Sequence, residues 1–262
     1  MANAYNPYTS PPHSVSVQGA YEPFDLQVSR NQIMGHQILS IFGYQAAIGN
    51  TTIAVWENAA AYVYPTVASQ MTVVSTSASD NTSATILISG LDANFAPISE
   101  VIALNGTGAV TTVNSYLRIN SLLMTSPGTS QVTNVGTITV KQSSNTVAQI
   151  NIGVGKSQST VYTVPAGYTF YFETAEVNSN NSYTGTDYIT YKVQAKSNVT
   201  GVTLNVLQQP FVAIYTVVRT NAPFAYSEKT DLQWQLVTST ATTHAAGVIV
   251  TGKLIKNDSQ SA

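Results

Sequence analysis

Residues Thr85–Met124 read TILISGLDANFAPISEVIALNGTGAVTTVNSYLRINSLLM, and this stretch decides the fold class. Thr85–Ser89 is a short run of apolar and β-branched residues. Gly90-Leu91-Asp92-Ala93-Asn94 supplies turn chemistry, because Asp and Asn side chains bond the nearby backbone and glycine tolerates angles closed to other residues. Ile98–Asn105 is the expected return strand. Asn105-Gly106 is a dipeptide that favours positive φ in a tight turn. Thr111–Met124 runs out again, with Val113, Leu117, Ile119 and Leu123 separated by polar residues. The segment predicts a three-strand meander. It carries no nucleophile–base pair, no metal-ligand spacing and no phosphate loop.

The pattern continues on both sides. Met71–Thr76 lies upstream. Downstream are Gly136–Lys141, Val147–Ile152, Ser159–Val164, Tyr168–Val177, Tyr188–Ala195, Gly201–Leu207, Phe211–Arg219, Glu228–Val237 and Val248–Lys253. Pro127-Gly128 and Pro165-Ala166-Gly167 mark turns, and Tyr183–Asp187 reads as a loop. Tyr168, Phe170 and Phe172 share one face under period-2 alternation. Short strands at this spacing predict an all-β fold, an antiparallel β-sandwich or jelly roll built as one large or two successive sandwiches. The chain divides into an N-terminal arm and irregular segment (1–65), a first β region (66–155) and a second (156–262).

Residues 1 to about 27 are rich in Pro, Tyr, Asn and Ser, which favours an extended arm. Val28–Gly49 offers the one helical pattern, through Ile33, Ile38, Ile41 and Phe42, but Gly35 and Gly43 interrupt it. An irregular segment with a single helical turn is expected. Ile53–Tyr64 carries Trp56, whose size suits an interfacial or core anchor.

Composition narrows the function classes. Only 8% of the 262 residues are charged, against about 25% in an ordinary globular protein. Ser, Thr, Asn and Gln fill the polar positions, while 44% of residues are hydrophobic and fifteen are Tyr, enough apolar surface for a folded core. The net charge is −2 and the ten basic residues are scattered, so no stripe for nucleic acid exists. No apolar run is long enough for a membrane helix. The N-terminus lacks the basic and apolar regions of a secretory signal. With no cysteine there is no disulfide framework or thiolate metal site. A hydroxyl-rich, charge-poor surface without an export signal fits a protein made in the cytoplasm, built into a particle and released by lysis.

Each candidate for chemistry has a plainer structural explanation. Gly155-Lys156-Ser157 lacks the glycine a phosphate loop needs, because Ile150 stands at that position, and it reads as a hairpin loop. His13, His36 and His244 are far apart and in no ligand spacing. Glu100, Glu173 and Glu176 could furnish a glycosidase acid–base pair, but the odd separation of Glu173 and Glu176 places them on opposite faces of a regular strand. Asp80, Asp92 and Asp187 are turn residues. No catalytic residue, cofactor or metal ligand is expected. The tyrosines exceed what a core needs, and Tyr5, Tyr8 and Tyr21 of the arm, with Trp56, are the expected interface residues.

Several runs carry a resemblance. Gly90-Leu91-Asp92-Ala93-Asn94, Ile98-Ser99-Glu100 and Ala103-Leu104-Asn105-Gly106-Thr107 resemble a family of tailed-phage virion proteins of the marine and cyanobacterial phage type. So do Tyr116-Leu117-Arg118-Ile119-Asn120, Tyr162-Thr163-Val164-Pro165-Ala166-Gly167 and Glu228-Lys229-Thr230-Asp231. Gly35-His36, Phe42-Gly43 and Trp56 also match. These are packing and turn motifs that carry no reaction. The resemblance implies a non-enzymatic structural protein of the particle, a capsid decoration or cement protein assembling as a homo-oligomer. Its partners would be other copies of itself and other virion proteins, the major capsid protein included, with no nucleic acid and no membrane. The alternative is a tail, neck or fibre component that binds host surface glycan. An enzyme acting on cell-wall polysaccharide is a third reading.

Overall fold

The computed structural model describes residues 22–180, 187–240 and 242–257, and over them the chain is all-β with antiparallel pairing. One short helix, α1 (Phe24–Ser29), precedes β1 (His36–Ile48) and β2 (Ile53–Ala54). The middle of the chain forms β3 (Ser69–Ser75), β4 (Ala84–Leu91), β5 (Pro97–Ala103), β6 (Val110–Tyr116), β7 (Arg118–Pro127), β8 (Ile138–Gln142) and β9 (Asn145–Ile150). The remainder forms β10 (Val161–Thr163), β11 (Tyr168–Ser179), β12 (Ile189–Ser197), β13 (Thr203–Phe211), β14 (Tyr215–Tyr226), β15 (Thr230–Thr238) and β16 (His244–Lys256).

These strands make four sheets. The orders are β1-β16-β11-β14, then β10-β15-β12-β13 with β2 also on β15, then β6-β3-β8-β9, and β5-β4-β7. Two large apolar cores follow from the sequence alternation. Met71, Ile86, Tyr116, Leu122, Ile138 and Ile150 belong to one, drawn from both sheets of the middle segment. Phe170, Phe172, Tyr191, Trp234, Leu236 and Val250 belong to the other, drawn from the two remaining sheets. Each such side chain taken fully out of water contributes about 1.5–3 kcal/mol. The succession of sheets is propeller-like and does not reduce to one clear jelly roll.

The Thr85–Met124 stretch departs from a simple meander. β4 pairs with β5, and β7 returns to the other side of β4, but β6 leaves to pair with β3 in a different sheet. The expected third strand is therefore two, split at Leu117, whose amide bonds the Leu91 carbonyl at 2.8 Å. Gly90 permits the crossing. A Cβ there would stand 2.2 Å from the Arg118 carbonyl oxygen and 2.8 Å from the Tyr116 ring. The Asn105-Gly106 turn is present, with Gly106 at φ +59°.

The segment 28–49, expected to be irregular, is mostly a strand. β1 pairs with β16 from His36↔Ile255 through Gln45↔Ala246, and the helical turn lies earlier, at α1. Gly43 is no helix interruption. A Cβ on it would meet the Val55 carbonyl and the Thr160 methyl, each at 2.5 Å, so the glycine allows that segment to cross β1 closely. Asp80, expected to bond its own turn, is fully buried and reaches further. It accepts from the Val135 and Gly136 amides, both at 2.8 Å, and from the Ser75 hydroxyl.

Candidate functional site

The expected interface residues fall in different places. Tyr5, Tyr8 and Tyr21 lie outside the described residues. Trp56 is 2% exposed and packs within the chain with Ala54 and Val161. Its indole N–H donates to the Ala60 carbonyl at 2.9 Å, and its ring meets Tyr62 edge-on at 5.0 Å, which in turn meets Tyr64 at 4.9 Å. This aromatic row leads to the contact between the two cored halves. There Arg118 of β7 donates from Nε and Nη2 to Asp231 of β15, and from Nη1 to the Pro65 and Leu117 carbonyls. The guanidinium carbon lies 4.8 Å from the Tyr64 ring centre and 5.5 Å from that of Phe95. Thr163 donates to the same carboxylate at 2.7 Å.

Glu57 follows Trp56 and was missed by sequence reasoning, because nothing in a lone Glu between Trp and Asn signals burial. Desolvation raises its pKa from 4.5 to about 7, against the opposing pull of the Gln158 and Asn151 amides. Its Oε2 is buried without a described hydrogen-bond partner.

Two of the three carboxylates weighed for acid–base chemistry, Glu100 and Glu173, are held by protein groups. Glu100 on β5 accepts from the Val113 and Asn114 amides at 2.9 and 3.1 Å. Glu173 on β11 accepts from Lys253, which also contacts Asp25 at 3.1 Å. The parity argument for Glu173 and Glu176 does not hold. A bulge between Phe172 and Thr174 resets the alternation, so Phe170 and Phe172 are buried before it, Ala175 and Val177 after it, and both glutamates leave the buried face. Glu100 and Glu173 remain in different sheets.

Gly155-Lys156-Ser157 forms a loop strapped to β7. The Ser157 amide donates to the Leu122 carbonyl at 3.0 Å, and the Leu122 amide donates back to the Ser157 hydroxyl at 2.9 Å. His36 starts β1 with its ring edge-on to Phe24 at 5.8 Å, His244 starts β16, and His13 lies outside the described residues. Among the described residues no group of three His, Asp or Glu is placed to hold a metal, and no helix is long and apolar enough to cross a membrane.

Two surfaces stand out. The first is the paired edge formed by β13 and β14, consecutive strands that end two different sheets. Val202, Leu204, Val212, Ile214, Tyr215 and Phe224 are all exposed there. A groove of about 460 Å³ lies by the start of β13 and the end of β14, lined by Val202, Leu204 and Phe224 and by Ala195, Val206 and Tyr226, with no charged residue, while Val212, Ile214 and Tyr215 sit at the connection between the strands. Edge strands offer unpaired backbone groups to another chain. The second is a groove of about 420 Å³ where the β5-β4-β7 sheet faces β10 and the start of β11. Ser89, Ser99, Ser121, Tyr162 and Tyr168 line it, and it too lacks any charged side chain.

No family model matches the chain, and no curated protein matches it, so the tailed-phage resemblance rests on its motifs alone. Among solved structures, the chain is similar at 12% identity to one in the structure of infectious bursal disease virus Gt strain. That alignment covers 85% of this chain and 77% of the other, with a TM-score of 0.16. A chain of the T=1 particles derived from infectious bursal virus is 10% identical over 86% of this chain and 79% of that one, with a TM-score of 0.11. Likenesses this faint carry neither a fold assignment nor a function.

Proposed function

We propose that this protein is a non-enzymatic structural component of a tailed-phage particle, decorating or cementing the capsid as a homo-oligomer. The observation that carries the reading is the β13–β14 edge. Two strands of nine and twelve residues end their sheets beside an uncharged groove, with six large apolar side chains in solvent. In a chain with so few charges, an edge like this is spared by association and is a liability without it. Two successive modules, each a pair of sheets around its own apolar core, give the chain the bulk such a role needs. The motifs that resemble the phage family and the hydroxyl-rich, charge-poor surface support the same reading.

Light scattering on the purified chain tests it. A discrete homo-oligomer is expected at about 100 µM, with the double variant Val202→Lys, Leu204→Lys reduced to a monomer that keeps the wild-type circular dichroism spectrum and melts lower, because subunit association no longer stabilises the native state. A monomeric wild-type chain, or its absence from purified particles by mass spectrometry, removes the proposal.

A further inference from the structure

The groove between the two cored halves has the composition of a ligand site and no structural use for much of that composition. Ser99, Ser89 and Ser121 lie abreast on β5, β4 and β7, because Ser89 is register partner to both of the others. Register partners share a face, so their hydroxyls form a row with steps of about 4.8 Å. Ala84, Ile86 and Ile88 of β4 point into the core, which turns Ser89 to the opposite side, towards the groove. None of the three hydroxyls has a hydrogen-bond partner among the described residues.

The facing wall supplies an independent observation. Tyr162 is 6% exposed, lines the groove, and its phenol has no hydrogen-bond partner among the described residues. It is not one of the sealed core phenols such as Tyr116 and Tyr191. Burial, and after it the neighbouring Tyr168 phenol, push its pKa upward, so it stays a neutral O–H donor. Asn120 fixes this wall in place. Its amide exchanges two hydrogen bonds with the Thr163 backbone, at 2.9 and 3.0 Å, and is therefore not itself free for a ligand.

The ligand class follows from what is present and what is missing. Hydroxyls that bond no protein group and the Gln37 amide suit a partner with many donors and acceptors. Pro165 and Tyr168 offer apolar faces to C–H groups. No Lys, Arg, Asp or Glu lines the groove, so a charged ligand would lose hydration without a counter-charge. The volume lies within the usual range for small-ligand sites, about 300–1,000 Å³. We propose that this groove binds a neutral saccharide, through the serine row on one wall and the Tyr162 hydroxyl on the other. The site stands apart from the β13–β14 edge and does not depend on the assembly reading.

Backbone-amide NMR on the full chain tests the site. The probes are neutral trisaccharides of glucose, mannose, galactose and N-acetylglucosamine, with tri-galacturonate as the anionic control. Saturable shifts centred on Ser89, Ser99, Ser121 and Tyr162 are expected with a neutral probe, at a Kd of about 0.1–1 mM. Tyr162→Phe keeps the ring and should weaken binding roughly five- to tenfold. Ser99→Leu, at an exposed position that leaves the core untouched, should abolish it. The inference is overturned if no neutral probe shifts these amides at about 10 mM, a weak-binding ceiling. It is equally overturned if shifts map elsewhere, if only the anionic control binds, or if both variants bind like the wild type.

Discussion

Arg118 and Asp231 meet as a two-pronged ion pair across 113 residues of chain, Nε to Oδ1 and Nη2 to Oδ2, each at 2.9 Å. Their side chains are 5% and 1% exposed, so the pair is sealed where the two cored halves touch. Replacing one partner leaves the other charged and unpaired in the interior. Arg118→Met or Asp231→Leu alone should therefore cost about 3–5 kcal/mol in urea denaturation. The double variant should recover most of that loss, because both charges leave together. A pair of single variants that each cost under about 1 kcal/mol would mean the contact is dispensable.

Glu57 predicts a specific pH dependence. Its folded pKa, about 7, lies above the ordinary 4.5, so the native state binds the proton more tightly than the unfolded chain does. Stability should then be undiminished below pH 4.5, fall as pH rises from there towards 7, and level off above it. The ceiling on this effect is about 3 kcal/mol. Solvent screening lowers it, since the carboxyl is only partly enclosed. Denaturation of wild type and Glu57→Gln across that window checks it: the variant should be flatter, and more stable than the wild type above pH 7.

Gly90→Ala should disrupt the exchange of strands between sheets. The new methyl would lie 2.2 Å from the Arg118 carbonyl, and backbone cannot swing aside as a flexible side chain can. A loss of about 2 kcal/mol or more is expected. Amide shifts should be concentrated along β4, β6 and β7, and changes confined to the turn at Asp92–Asn94 would show that the crossing tolerates a side chain.

Much of the fold was legible in the sequence, for identifiable reasons. Alternation placed β3, β4, β11, β15 and β16 close to their observed positions, because one buried face imposes a period of two. It could not place sheet membership. Tyr116 and Arg118 look continuous in sequence, yet they end one sheet and begin another. Gly43 misled because a glycine admitting a crossing backbone looks, in one dimension, like one that breaks a helix. The parity of Glu173 and Glu176 failed through an inserted residue that no composition signal announces. Arg118 and Asp231 both stood inside motifs recognised as packing signals, but nothing in a single sequence pairs residues so far apart. The serine row depends on register between three strands, and it emerges only once that register is known.

The pairing of β1 with β16 bears on how the chain is made. β16 sits between β1 and β11, and β1 has no other neighbour in its sheet. Ile41 must wait for Val250, synthesised some two hundred residues later, before its backbone is paired. The middle segment from Ser69 to Ile150 closes its own sheets without help from either flank. A nascent chain can therefore complete that half while β1 remains unmatched on the ribosome, and β16 acts as the bolt that later secures β1 to β11.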